Sequence, residues 1–357
     1  MEAAIRRVLS RGQFILGPEV ARFEEEFARF CRVSHGVGLA SGTDALELAL
    51  RGLKIGPGDL VATVSFTFLS TADAIRKVGA QPLFVDIDPA TYTMDPAHLE
   101  LLLKRMPASR RRRIRALLPV HLYGHPCDMG ALGRIARREG WPVVEDCAQA
   151  HGAEWGSKRV GGFGQIGCFS FYPTKNLGAL GDGGMAVTSS GALADRLRML
   201  RFQGRKGKDL QLFDGLNSRL DELQAAILRV KLPSLDGWTR SRRRLAGLYA
   251  EGLRSLPVQL PVEAAGARHV YHLFCIQATR REDLRKWLAR RGIGTGIHYA
   301  IPVHRQPLYR SGESRPLPLP VTERVSRRIL SLPLFPEMTA GEVTRVCRAV
   351  TEQFSRR

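Results

Sequence analysis

Between residues 37 and 144 the chain keeps one rhythm. Short apolar runs at 37–40, 60–64, 82–85, 116–120 and 142–144 alternate with helix-length segments at 44–53, 69–78, 96–104 and 129–138. Runs that are apolar throughout, rather than at every second residue, belong to strands buried on both faces. Strand, helix and strand in steady alternation give a mostly parallel sheet with helices on both sides, so the fold class expected is α/β. Ahead of this block, Gly17-Pro18 is followed by Val20, Phe23, Phe27 and Phe30. That 3, 4, 3 spacing is an amphipathic helix with proline in its first turn.

Beyond residue 144 the rhythm becomes hairpin-like and glycine-rich over 153–187, then helical over 193–201. The spacing of Leu220, Leu223, Ile227 and Val230 predicts a helix over 216–231, which Pro233 breaks. A domain boundary is expected there, with a large unit at 1–232 and a smaller α+β unit at 233–357. The smaller unit reads as a basic helix (235–254), a strand-like stretch (271–278), a helix (281–291), an extended stretch (294–299) and two terminal helices (322–330 and 340–354). No internal repeat of 20 to 50 residues is visible.

Composition narrows the class of function. The 357 residues are ample for a sizeable core. Lysine and arginine total 54 against 34 acids, a net charge of +20. The cationic runs are scattered (Arg110 to Arg113 with Arg115, Arg240 with Arg242 to Arg244, Arg290 with Arg291) and no aromatics interleave with them. They read as solvated faces rather than a nucleic-acid platform, and an acidic, phosphate-bearing small molecule stays compatible with them. Six cysteines are too far apart for a C-x-x-C pair, the first residues hold no apolar leader core, and no run of eighteen apolar residues occurs. The expectation is a cytoplasmic protein with free thiols, no metal site and no membrane span.

Only nine lysines occur, and most sit beside charges, glycines or helix ends. Lys175 differs, because the stretch from Gly167 to Gly181 holds no other charge before Asp182. Poor solvation lowers an ammonium pKa, the requirement for a Schiff-base amine; a lysine snorkelling from a glycine-rich loop would leave the same pattern. Val143-Val-Glu-Asp146-Cys-Ala-Gln149 reads as a buried strand ending in acids, at the edge where open α/β sheets bind ligands. A carboxylate there wants a cation, and a protonated pyridine nitrogen is one; a helix N-cap or a surface acid is the alternative. Ala40-Ser41-Gly42-Thr43-Asp44 joins a strand to a helix, a setting that suits phosphate but is also ordinary N-cap chemistry. The sequence has neither a G-x-x-x-x-G-K-[ST] P-loop nor a G-x-G-x-x-G that opens a helix with its acid partner.

In this order, these segments resemble the DegT/StrS family of pyridoxal-phosphate-dependent nucleotide-sugar aminotransferases, which have the aspartate aminotransferase fold (fold type I). The resemblance runs over nearly the whole chain: Gly12-Gln-Phe-Ile-Leu-Gly-Pro, Ala40-Ser-Gly-Thr-Asp-Ala-Leu, Ser65-Phe-Thr-Phe-Leu-Ser-Thr, Val120-His-Leu-Tyr-Gly and Glu145-Asp-Cys-Ala-Gln-Ala-His-Gly. It continues with Phe169-Ser-Phe-Tyr-Pro-Thr-Lys-Asn-Leu-Gly, Gly181-Asp-Gly-Gly, Leu216-Asn-Ser-Arg-Leu-Asp-Glu-Leu-Gln-Ala-Ala and Gly294-Thr-Gly-Ile-His-Tyr.

The resemblance implies that Lys175 is the Schiff-base lysine and that Asp146 pairs with the pyridinium nitrogen of pyridoxal 5'-phosphate. It places Gln149 at the ring's 3-hydroxyl, Phe68 against the ring face, and Gly42, Thr43 and Ser170 at the phosphate. Asn217 would reach the cofactor phosphate of a neighbouring subunit, which implies a homodimer with shared sites, and Arg219 would clamp a carboxylate of the donor amino acid. His298 and Tyr299 match a substrate-side loop. A lysine at 175, where dehydrating relatives carry histidine, implies transamination through pyridoxamine 5'-phosphate, from an amino donor such as glutamate to a nucleotide-linked keto-sugar. The wording around Lys175 resembles enzymes for 3-keto more than 4-keto sugars. Two rivals stay open from the residues: a cyclitol or aminobenzoate-type substrate within the same family, and a non-enzymatic DNA-binding regulator that uses the positive charge.

Overall fold

The computed structural model describes residues 1–207, 209–309 and 318–355. The alternating block folds as the rhythm requires. Strands β1 (His35–Leu39), β2 (Leu60–Val64), β3 (Gln81–Val85), β4 (Ile114–Leu118) and β5 (Val144–Asp146) are separated by helices, while β6 (Ile166–Ser170) and β7 (Gly184–Thr188) follow β5 with no helix between. The helices are α1 (Glu2–Arg11), α2 (Pro18–Cys31), α3 (Gly42–Gly52), α4 (Leu69–Lys77), α5 (Pro96–Arg105), α6 (Met129–Glu139), α7 (Gly191–Leu200) and α8 (Glu222–Lys231).

Two ladders, β3-β2-β4 and β5-β6-β7-β1, are joined edge to edge by parallel bridges from Leu117 to Val143 and from Val120 to Asp146. Every pairing is parallel except those of β7, which runs against both β6 and β1. The strands are covered on both faces: Ala186 of β7 belongs to one core, while its neighbours Met185 and Val187 belong to another. Successive residues of a strand point to opposite faces, so both faces of this strand are buried. On α2, Val20, Phe23 and Phe27 are buried, with Pro18 in the first turn.

Three elements differ from the reading of the sequence. The helix expected over 216–231 begins at Glu222, with Asp221 as its N-cap. Ahead of it the chain is extended, because Leu216 N donates to Leu200 O (2.8 Å) and Ser218 N to Arg201 O (3.0 Å), which ties this stretch to residues 200–203. Val230, expected on the buried stripe, is 45% exposed. The terminal helix expected over 322–330 ends at Arg328, and residues from Ile329 form a strand. Helix α1, unread in the sequence, packs Ala4 and Val8 on Ala226.

A further core gathers Leu245, Tyr249, Phe274, Leu288, Leu330 and Val350. It is built by α9 (Leu235–Leu253), β8 (Phe274–Gln277), α10 (Arg281–Ala289), β9 (Ile329–Leu332) and α12 (Ala340–Ser355), with β8 and β9 paired antiparallel and α11 (Pro320–Arg328) leading into β9. Val325 and Ile329 nevertheless pack in the core of the larger sheet. All six cysteines are free and buried. No described helix is long and apolar enough to cross a membrane.

Candidate active site

Strands β1, β2, β4, β5 and β6 point the same way, so the loops that leave their carboxyl ends converge at one edge of the sheet. There they enclose a cleft of about 490 Å3. Nine of the residues singled out in the sequence line it: Gly42, Thr43, Phe68, Asp146, Gln149, Ser170, Lys175, His298 and Tyr299.

Lys175 sits in a loop fastened on both sides. Its own amide donates to Tyr172 O (2.8 Å), and the next residue, buried Asn176, donates to Val270 O (3.1 Å) and contacts His272 Nδ1 (3.2 Å). Lys231 reaches the carbonyl of Gly178 at the loop's far end. Gly178 has no room for a side chain, since a Cβ there would lie 2.4 Å from the Pro173 carbonyl oxygen. Burial lowers the pKa of the Lys175 amine, and the Asp146 carboxylate partly opposes the shift.

Asp146 ends β5 and is 5% exposed. Its Oδ2 accepts from Thr71 Oγ1 (2.8 Å) and its Oδ1 from the Ala148 amide (3.1 Å). Among the described residues no cation makes an ion pair with it, although burial raises its pKa against those hydrogen bonds and the field of Lys175. The adjacent Glu145 points to the other face and is spent on structure. It accepts from the amides of Gly161 (2.8 Å), Phe163 (2.7 Å) and Gly164 (2.7 Å) and contacts His121 Nε2 (3.1 Å). Because His121 Nδ1 accepts from the Cys127 amide (3.0 Å), Nε2 carries the proton and donates to Glu145. Neighbouring Cys147 completes a buried triad with ligand-like spacing. The imidazole nitrogens are both engaged, which leaves that triad no free imidazole lone pair for a metal.

Gln149 is oriented by its surroundings: its Oε1 accepts from the Tyr123 amide (2.7 Å), so its Nε2 faces Tyr299 Oη (3.0 Å). Tyr123 in turn donates its hydroxyl to the His298 carbonyl, which couples the two sides of the cleft. The rings of Phe68 and Tyr299 lie 5.9 Å apart. At the start of α3, Ser41 caps the helix by accepting from Asp44 N (3.1 Å), and Thr43 Oγ1 donates to Ser70 Oγ (2.8 Å). Gly42 is pressed on Ser170, whose Cβ would lie 2.6 Å from any Cβ at position 42. This close approach leaves the free amides of the helix terminus open to an anion.

Asn217 and Arg219 do not line this cleft. The segment that carries them is pinned to the same helix start through Ser218, whose Oγ donates to Asp44 Oδ2 (2.7 Å) and accepts from the Ala40 amide (3.1 Å). Asn217 is exposed, and Arg219 lies over the Phe202 ring at 5.5 Å.

The model of the DegT/DnrJ/EryC1/StrS aminotransferase family matches residues 1–351. The chain belongs to that family. It is 48% identical over 353 residues to the dTDP-3-amino-3,4,6-trideoxy-alpha-D-glucose transaminase of Streptomyces venezuelae, covering 98% of this chain and 91% of the relative. The crystal structure of S. venezuelae DesV in complex with a ketimine intermediate is 47% identical, with a TM-score of 0.92 over 98% of this chain and 93% of that one. The Bacillus subtilis NtdA structure with bound cofactor PMP is 30% identical, with a TM-score of 0.90 over 99% of this chain and 81% of that one.

This member of the DegT/DnrJ/EryC1/StrS family is therefore an aminotransferase, and the fold type expected from the resemblance is the one observed. Several cleft residues escaped the reading of the sequence: Thr67, Thr71, Tyr172 and His272. Thr67 and Thr71 lay within reach, since both fall in the Ser65-Phe-Thr-Phe-Leu-Ser-Thr segment; the isolated His272 carries no local signal.

Proposed function

We propose that this aminotransferase moves an amino group from an amino acid, glutamate, to C3 of a keto-sugar carried on a nucleoside diphosphate. It would use pyridoxal 5'-phosphate and work as a cytoplasmic homodimer. The observation that carries the reading is the meeting, in one cleft, of a desolvated lysine amine with a buried carboxylate that makes no ion pair among the described residues. The residues fit the cofactor: Lys175 for the Schiff base, Asp146 for the ring nitrogen, Gln149 for the 3-hydroxyl, Phe68 for the ring face, and Gly42, Thr43 and Ser170 with the start of α3 for the phosphate. When bound, pyridoxal phosphate supplies an electron sink and a carrier for the amino group.

The chain supplies the rest. Lys175, whose pKa burial lowers, is the amine placed to take the proton from the donor's Cα and return it elsewhere. The hydrogen bonds from Thr71 and Ala148 and the field of Lys175 favour the ionised form of Asp146 against the burial that raises its pKa. Tyr299, held neutral by burial, accepts from Gln149, so its own proton is free to point into the cleft, next to His298. The C3 preference is supported by the amino position in the name of the S. venezuelae relative. Units at 1–232 and 233–357 would form the walls, and the +20 charge would favour approach of a diphosphate.

Incubation with glutamate and matched nucleotide-linked 3-keto and 4-keto sugars, read by mass spectrometry of the products, should show amination of the 3-keto sugar. Amination of a keto-cyclitol in preference to either would overturn the substrate class.

The homodimer rests on Asn217, which is exposed and outside its own chain's cleft yet fixed beside the phosphate end of α3. If a partner subunit supplies it, inactive Lys175→Ala chains mixed with inactive Asn217→Trp chains should regain activity. Random pairing makes half the dimers mixed, each with one intact site of two, so about a quarter of the wild-type activity should return. Heterodimers that form and remain inactive would rule out sharing.

A further inference from the structure

We infer that Thr71, with Thr67 behind it, is a positioning residue for transamination: the two hydroxyls form a one-way chain that holds the Asp146 carboxylate ionised and aimed into the cleft. The inference rests on the reading of Asp146 as the partner of the cofactor's ring nitrogen.

The direction of the chain follows from counting protons. An ionised carboxylate only accepts, so the single hydroxyl proton of Thr71 goes to Asp146 Oδ2 at 2.8 Å. The 2.9 Å contact between Thr71 Oγ1 and Thr67 Oγ1 must then use the proton of Thr67. Both threonines are nearly sealed, at 1% and 3% exposure, so water does not replace either donor. A donor that itself accepts a hydrogen bond is polarised and becomes a stronger donor.

Helical threonines commonly turn their hydroxyl back on the carbonyl four residues earlier. Thr344 and Thr351 do this, bonding to Ala340 O (3.0 Å) and Cys347 O (3.0 Å). Thr71, in the first turn of α4, gives its proton across to the end of β5 instead. It does not cap the helix either, since the N-cap is Phe68 and no side chain caps that end. With Ala148 N on Oδ1 and Thr71 on Oδ2, each carboxylate oxygen has one fixed donor. The rotation of the group is thereby set, and lone pairs remain for a cationic ligand.

The test uses holoenzyme loaded with pyridoxal phosphate carrying 15N in the ring, whose chemical shift reports protonation of that nitrogen. Thr71→Val keeps the shape and removes the donor. It should lower kcat about tenfold, leave KM for the amino donor little changed and move the 15N signal toward the unprotonated ring. Thr71→Ser should restore kcat and the shift, and Thr67→Val should move the signal the same way by less.

A Thr71→Val enzyme with wild-type shift and kcat would overturn the inference, as would a Thr71→Ser enzyme as impaired as Thr71→Val, since packing would then be the role. Asp146→Asn separates the two layers. If that variant keeps a protonated ring, the Asp146 reading fails; if it loses the proton while Thr71→Val keeps it, only the hydroxyl chain fails. Should Thr71→Val not fold, the Thr71→Ser and Thr67→Val spectra carry the test.

Discussion

Lys175→Ala is expected to remove transamination, lowering turnover by roughly ten-thousandfold or more, because one group is lost from both covalent attachment and proton transfer. Among the described residues, Lys175 is the one lysine that lines the cleft at the sheet's carboxyl edge. Lys231 holds the Gly178 carbonyl, and the Lys158 ammonium lies 5.0 Å from the Phe163 ring centre. Reduction of the holoenzyme with borohydride, followed by peptide mapping, should place a pyridoxyl group on Lys175. A label on Lys158 or Lys231 would remove the assignment. Adding a small free amine to the Lys175→Ala protein should recover part of the rate, since proton transfer needs an amine and not the tether.

The sheet was legible because a strand buried on both faces must be apolar along its whole length, and that constraint is local: 60–64 reads as β2 residue for residue. The cleft was legible through ordered motifs, since its residues leave the ends of neighbouring strands and nine of them do converge. What failed depended on partners distant in sequence. Leu220, Leu223, Ile227 and Val230 have helical spacing, yet the amides of Leu216 and Ser218 find carbonyls at Leu200 and Arg201, which no local pattern reveals. Ile329 to Leu332 is a strand because β8 lies beside it, some fifty residues earlier. The contact between Thr71 and Asp146 joins residues 75 apart, so neither residue announces the other.

Asp146→Asn is expected to cost about a hundredfold or more in kcat, the scale of losing a charge-assisted contact in a buried site, while cofactor binding largely survives. The asparagine amide can occupy the same space. Its oxygen can keep the Ala148 amide, and its NH2 can face Thr71 Oγ1 once that hydroxyl turns its proton toward Thr67. The shape of the cleft is then preserved, and what disappears is the negative charge that keeps a ring nitrogen protonated. The end of the cleft proposed for the phosphate, at Gly42, Thr43 and Ser170, is built by other loops and is untouched. Cofactor titration should therefore show retained binding, and single-turnover kinetics should show slowed proton removal from the donor. Full activity in Asp146→Asn would pass the role to Asp182, which also lines the cleft. Glu145 could not inherit it, because its oxygens are committed to three amides and His121 on the opposite face of β5.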